Sequence, residues 1–222
     1  GSLTGKVSLV TGGSGAIGRA IAKRLASEGS NILITYAGAE DRAETTLSEI
    51  IQAGGVAQSF KLDQRNPEDI ENVIAYVQNE FGALDILVNN AAWNIGIPFP
   101  ELQKLTPDIW DRVLETNLRA PFLLARAAAS LLKVGGGHVV NISSAGGITP
   151  GSSSIAYSSS KAGLNHLTRC LAVAMAPDVS VNCVAPGLVE DTRMANRLPR
   201  AVSQGAKRQA ILGKVGQVED IA

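Results

Sequence analysis

Tyr157 and Lys161 stand four residues apart, and Ser144 precedes the tyrosine by thirteen. Residues at i and i+4 of a helix share a face, so this spacing sets an ammonium beside a phenol. A free tyrosine has a pKa of about 10. A unit charge roughly 4 Å away, at an effective dielectric of about 20, contributes about 4 kcal/mol, or about three pKa units. The phenol then becomes a usable acid or base near neutrality. Alone, a YxxxK pair is more often a surface tyrosine beside a solvated lysine; the company this pair keeps marks it out. Ser144 lies directly after the strand-like run HVVNIS, at the end where open α/β sheets place ligand sites, and its hydroxyl suits a substrate oxygen. Asn117, within TNLRA of a long helical stretch, is an amide that needs a reason to face inward. That reason is either chemical or the bending of a core helix.

Elements that would position these residues can be read on both sides of them. Val7 to Val10 is a short apolar run, followed by the turn TGGSGAIG from Thr11 to Gly18, then by Ala20, Ile21, Ala22 and Leu25 at helical spacing. Gly13, Gly15 and Gly18 fit GxGxxG. Strand, glycine turn and helix together suit a pyrophosphate, because backbone N–H groups approach phosphates closely only where side chains are absent, and the helix N-terminus is partly positive.

The alternation then repeats. Helix one runs to about Glu28 and stops at Gly29, and Asn31 to Tyr36 reads as a buried strand. Helices are expected over Asp41 to Ala53, Pro67 to Phe81, Pro107 to Lys133 and Ile155 to Met175. Further strands are expected over Val56 to Leu62, Ile86 to Asn89, His138 to Ile142 and Val179 to Ala185. Pro67 suits an early helical position, and Gly82 suits a helix stop. Strands alternating with helices over short turns imply a single α/β domain, residues 1–222, with a doubly wound parallel sheet of Rossmann type. Serines at 152–154 and 158–160 flank a helix start, where hydroxyls cap free N–H groups.

Composition narrows the class. In 222 residues, 20 basic and 20 acidic side chains cancel, which argues against nucleic acid or an anionic membrane as partner. No apolar run reaches the length of a membrane span. Cys170 and Cys183 are expected as buried free thiols, and His138 and His166 are too isolated for a metal site, so no metal is expected. Gly1-Ser2 reads as a cloning remnant, and a cytoplasmic enzyme is expected.

TGGSGAIG, Asp63, NNAA at Asn89 to Ala92, Asn117, Ser144, YSSSK and Pro186-Gly187 occur in the order and spacing of the short-chain dehydrogenase/reductase family, which the chain resembles over nearly its whole length. The resemblance is strongest to 3-oxoacyl-carrier-protein reductase-like members. It implies Tyr157 as acid for reduction or base for oxidation, and Lys161 lowering its pKa and holding the nicotinamide ribose. Ser144 would polarise the substrate carbonyl, and Asn117 would hold a water in a proton relay. For the cofactor it implies Gly12, Ser14, Gly15 and Ile17 on the pyrophosphate side, Asp63 at the adenine, Asn90 at its ribose and Val189 at the nicotinamide amide. Two positions depart from the family's pattern: Ala16 stands for a glycine of the turn, and Ala92 ends what is usually NNAG. Each adds one methyl, and tighter packing near the cofactor is expected.

The end of the second strand reads Tyr36-Ala37-Gly38, with nothing acidic before Glu40. An acid there would hold the ribose 2′-OH and repel a 2′-phosphate, so its absence favours NADP over NAD, with Arg42 a candidate phosphate ligand. Trp93, Asn94, Ile95 and Ile97, with Leu188 to Met194, are expected to border an apolar substrate cleft for a small-molecule or acyl-carrier substrate. Trp110 is expected in the core. Surplus apolar surface on the helices containing PFLLARAAASLL and Leu164 to Met175 implies a homodimer or homotetramer. The last residues resemble the family's late helix, so a seventh strand is expected beyond Ala222.

Overall fold

The stretches read as strands form six: β1 (Val7–Val10), β2 (Asn31–Tyr36), β3 (Ala57–Lys61), β4 (Ile86–Asn89), β5 (His138–Ile142) and β6 (Ser180–Val184). In this computed structural model, which describes residues 1–198 and 200–222, they make one sheet in the order β3-β2-β1-β4-β5-β6. Every pairing is parallel, with Ser8 opposite Ile32 on one side and Ile86 on the other. Strand order reverses beside β1, which is where open sheets leave a crevice for a ligand.

Side chains alternate across the sheet, as the pleat requires. Leu9, Leu33, Leu87, Val139 and Val181 enter one core layer, and Val10, Ile32, Ile34, Val88 and Ile142 enter the other. Helices α1 (Ala16–Ser27) and α2 (Glu40–Gln52) cover the second face through Ile21, Ala22, Ala43 and Ile50. The first face is covered by α3 (Pro67–Phe81), α5 (Ala120–Val134) and α6 (Ile155–Met175). Asn66 starts α3 by accepting from Glu68 N at 3.1 Å, and Gly82 ends it at φ 71°.

Departures from the sequence reading are local. The stretch expected as one helix from Pro107 is continuous to Val134 but contains a π turn: α4 (Pro107–Leu114) passes through Glu115–Arg119 into α5. Trp110 belongs to neither core layer and is only partly buried, because α4 packs on α6 at the rim of the sheet. The thiols are free but not buried: Cys170 is exposed on the outer side of α6 and Cys183 is half-buried. A further helix, α7 (Arg200–Gln209), lies in a stretch dominated by basic and amide residues and was not expected. Among the described residues, β6 has β5 as its only neighbour, and no helix is long and apolar enough to cross a membrane.

Candidate active site

Between β1 and α1 the chain turns through Gly12 at φ +66°, and a Cβ there would lie 2.9 Å from Ala91 Cα. Only glycine fits that approach. Gly18 lets α1 start directly beneath the turn, since a Cβ on it would lie 2.4 Å from Gly12 O. Asn90, just past β4, closes the contact, its Nδ2 donating to Thr11 O at 2.8 Å and Gly12 O at 3.2 Å. The first turn of α1 has no side-chain cap and no acidic residue, whereas α3 and α4 are capped by Asn66 and Thr106 and carry acids there. Its opening N–H groups are therefore left for an outside acceptor, as a pyrophosphate site needs. Gly15, where a Cβ would meet only Gly12 O at 3.4 Å, faces open space. Ser14 and Ile17 flank that opening, both partly buried. These residues fit a dinucleotide.

Ser144 follows β5, with its Oγ accepting from Gly146 N at 3.1 Å. Tyr157 and Lys161 lie in the first turns of α6, which Ser154 caps by accepting from Tyr157 N at 3.2 Å. Burial pushes the Tyr157 pKa up, and the neighbouring Ser144 hydroxyl opposes that push; burial is the larger effect. The charge effect expected of Lys161 does not set the tyrosine here. Its Nζ lies 5.8 Å from the Tyr157 ring centroid and donates to Ile142 O at 2.7 Å. Burial lowers Lys161 itself to about 8.

Asn117 sits inside the π turn, 1% exposed. Its Oδ1 accepts from Trp93 N at 2.8 Å, and its Nδ2 donates to Trp93 O at 3.0 Å and Ser160 Oγ at 3.2 Å. Ser160 Oγ in turn donates to Tyr157 O at 2.7 Å. Trp93 is further held by the Arg112 guanidinium, 4.3 Å above its ring. The next residues latch onto the α6 entry: Ser153 Oγ donates to Asn94 Oδ1 at 2.5 Å and Ile97 N to Ser153 O at 3.1 Å, with Ser153 at φ +59°. Ser144, Asn117, Tyr157 and Lys161 are thus gathered at the carboxyl ends of the central strands.

The remaining predicted cofactor residues lie further out. Asp63, just past β3, is bound by Arg65, whose Nε and Nη2 reach its two oxygens at 3.0 and 2.6 Å. The guanidinium holds that carboxyl below its ordinary pKa. Tyr36 ends β2 with its hydroxyl donating to Glu40 Oε1 at 3.2 Å, a contact the sequence did not suggest, while Arg42 is exposed. Val189 is buried and bridges in parallel to Gly216. Gln64 and Arg65 were not singled out from the sequence, and Ser153 and Ser160 were read there only as hydroxyls flanking a helix start. Arg65 left a signal, as a cation two residues from an expected adenine ligand, and Gln64 left none.

A phosphate-ready glycine turn beside a half-buried serine and a buried tyrosine and lysine, all at the carboxyl edge of a parallel sheet, defines a dinucleotide-dependent oxidoreductase. Comparison with known proteins makes the class particular. A model of the short chain dehydrogenase family matches residues 6–203. The 3-oxoacyl-(acyl-carrier-protein) reductase FabG of Aquifex aeolicus is 40% identical over 223 residues, covering 99% of this chain and 88% of that protein. A short chain dehydrogenase of Burkholderia cenocepacia in complex with NADP has a TM-score of 0.91 at 35% identity, covering 100% of this chain and 89% of that one. NAD+-bound xylitol dehydrogenase has a TM-score of 0.93 at 27% identity, covering 100% and 90%. The chain belongs to the short-chain dehydrogenase/reductase family and is an NAD(P)-dependent oxidoreductase acting between a carbonyl and an alcohol.

Proposed function

We propose that the protein uses NADPH to reduce a 3-oxoacyl compound or a similar apolar ketone, with Tyr157 as the proton donor. The observation that carries this reading is that Tyr157 is buried on α6 with Lys161 one turn on and Ser144 just past the end of β5, burial keeping the phenol protonated. A tyrosine that stays neutral across the physiological range is an acid, ready to protonate an oxygen as charge develops on it. The bound dinucleotide supplies the hydride. Ser144 donates its hydroxyl hydrogen to the substrate oxygen and orients the carbonyl. Tyr157 gives its proton to the same oxygen; its own O–H bond breaks as the alcohol O–H forms. Lys161 returns a proton toward the phenolate. Asn117, held between Trp93 and Ser160, would hold the water that refills Lys161 from solvent.

Gly12, Ser14, Gly15, Ile17 and the first turn of α1 would hold the pyrophosphate. Asp63 and Asn90 would hold the adenosine end, and Val189 the nicotinamide amide. NADP is favoured by the absence of a carboxylate within the last residues of β2 and by the exposed Arg42 nearby. The Burkholderia relative in complex with NADP supports the same choice. One observation favours the second reading, an NAD-linked alcohol or sugar dehydrogenase: Glu40 is drawn to the end of β2 by the Tyr36 hydroxyl. The acyl-carrier substrate is inferred from the Aquifex relative's activity. A homo-oligomer built on α5 and α6 would cover Phe122, Val134 and Val173, which are exposed at 41%, 87% and 82%.

Tyr157→Phe tests the central assignment. It keeps the ring and removes the proton, so turnover of acetoacetyl-CoA with NADPH should fall by about 10² to 10⁴ while NADPH binding, read by fluorescence, persists. Turnover near that of the parent would sink the assignment.

A further inference from the structure

Gln64 lies between Asp63 and Arg65, just past β3, and is only 7% exposed. Its Nε2 donates to two backbone carbonyls on separate segments, Thr116 O at 2.7 Å and Ala91 O at 3.2 Å. Ala91 belongs to the stretch that packs on the glycine turn, and Thr116 belongs to the π turn. One amide therefore ties the turn beneath the dinucleotide site to the turn that carries Asn117.

The Thr116 carbonyl needs such a partner for a reason written in the chain. Within the π turn, Ala120 N–H donates five residues back to Glu115 O. The next donor in that register would be the amide of residue 121, aimed at Thr116 O. Residue 121 is proline and has no N–H. A buried carbonyl left without a donor is costly, and the Gln64 amide fills the vacancy. The wider turn matters because α and π registers differ by one residue, and one residue is about 100° around a helix. A shift of that size would swing the Asn117 amide away from Trp93 and from Ser160, which holds the Tyr157 carbonyl.

We propose that Gln64 is a positioning residue, whose amide caps the π turn through Thr116 O and thereby holds Asn117 in the site. Its catalytic consequence rests on the role of Asn117 in the reading above; its structural half does not. Hydrogen exchange of the unliganded protein addresses the structural half. In Gln64→Leu the amides of Trp93 and Ala120, held by Asn117 Oδ1 and Glu115 O, should exchange at least about tenfold faster, with amides of β1 and β4 unchanged. With acetoacetyl-CoA and NADPH, kcat should fall by about 10- to 100-fold, as misplacement of about 1 Å can cause, while KM for NADPH moves less than about threefold.

Gln64→Glu supplies a second variant of the same shape. As a neutral acid it can still donate to Thr116 O; ionised, it offers two carbonyls no hydrogen. Asp63 and Arg65 flank it, and Arg112, Glu115 and Arg119 lie across on the α4 to α5 helix, but none is a hydrogen-bond partner of the Gln64 amide. Its kcat relative to the parent should therefore rise about tenfold or more from about pH 8 to about pH 6. Unchanged exchange at Trp93 and Ala120 in Gln64→Leu, or a Gln64→Glu ratio flat with pH, overturns the proposal. If the parent reduces no carbonyl with either dinucleotide, the functional reading fails and the exchange data alone still decide the role of Gln64.

Discussion

Replacing Lys161 by Met should remove a titration that the fold has displaced. The lysine is 3% exposed, donates to Ile142 O, and has no carboxylate beside it. Burial therefore lowers its pKa from 10.5 to about 8. That is 10.5 − 8 = 2.5 units, and at about 1.36 kcal/mol per unit it corresponds to about 3 kcal/mol. The sign follows from proton counting. Between about pH 8 and about pH 10.5 the unfolded chain binds the proton more tightly than the folded one, so stability rises with pH in that window. Below about pH 8 both states are protonated and the full cost of burying the charge is present and constant. Methionine keeps an apolar stem of similar length without the charge, so its curve lacks this rise. Urea unfolding of the unliganded proteins, followed by tryptophan fluorescence, should show the stability difference, parent minus Lys161→Met, climbing by about 3 kcal/mol from about pH 7.5 to about pH 10.5. Tyr36 and Tyr157 are both pushed above their ordinary values and are present in both proteins, so they leave the difference largely untouched. The same titration should appear in turnover: kcat/KM for reduction falls as pH rises through about 8, where Lys161 loses its proton. A stability difference flat with pH would refute the burial argument, whatever the activity did.

Gly18→Ala puts a Cβ 2.4 Å from Gly12 O and 2.6 Å from Asn90 Nδ2, so the glycine turn itself has to move. NADPH affinity by fluorescence titration should weaken at least about tenfold, and overpacking should destabilise the protein by about 1 to 3 kcal/mol. Gly15→Ala, with only a 3.4 Å contact to Gly12 O, should leave the melting temperature of the unliganded protein nearly unchanged; equal effects at both positions would contradict the packing account. Glu40→Gln removes the charge that Tyr36 holds at the end of β2. The ratio of kcat/KM for NADPH over NADH should rise by about threefold to tenfold, as a nearby exposed charge allows; an unchanged ratio would mean that Glu40 does not face the adenosine ribose.

The centre of the sheet was legible because β1, β2 and β4 are largely apolar runs bounded by glycine or a polar break, and a strand buried on both faces needs no finer pattern; β3 and β6, at the edges, were read from their place in the alternation. The register of Tyr157 and Lys161 was legible because four residues on a helix define a face. Trp110 and Cys170 were misplaced for a related reason: periodicity marks a stripe but not what the stripe packs on, and α4 lies on α6 rather than under the sheet. The π turn escaped because a helical period contains nothing that inserts one extra residue; Pro121, inside an otherwise apolar helix, and Asn117, an amide that could bend one, were its traces. The harder gap lies in the site. Lys161 donates to Ile142 O, Asn90 to Gly12 O, Gln64 to Thr116 O and Asn117 to Trp93 O. Each of these side chains is fixed by a backbone carbonyl, and carbonyls are identical at every residue, so spacing along the chain cannot say which one a side chain will meet. Sequence therefore identified the groups that can exchange protons, while the carbonyls that hold them, and that leave Lys161 without a counter-charge, emerged only from the fold.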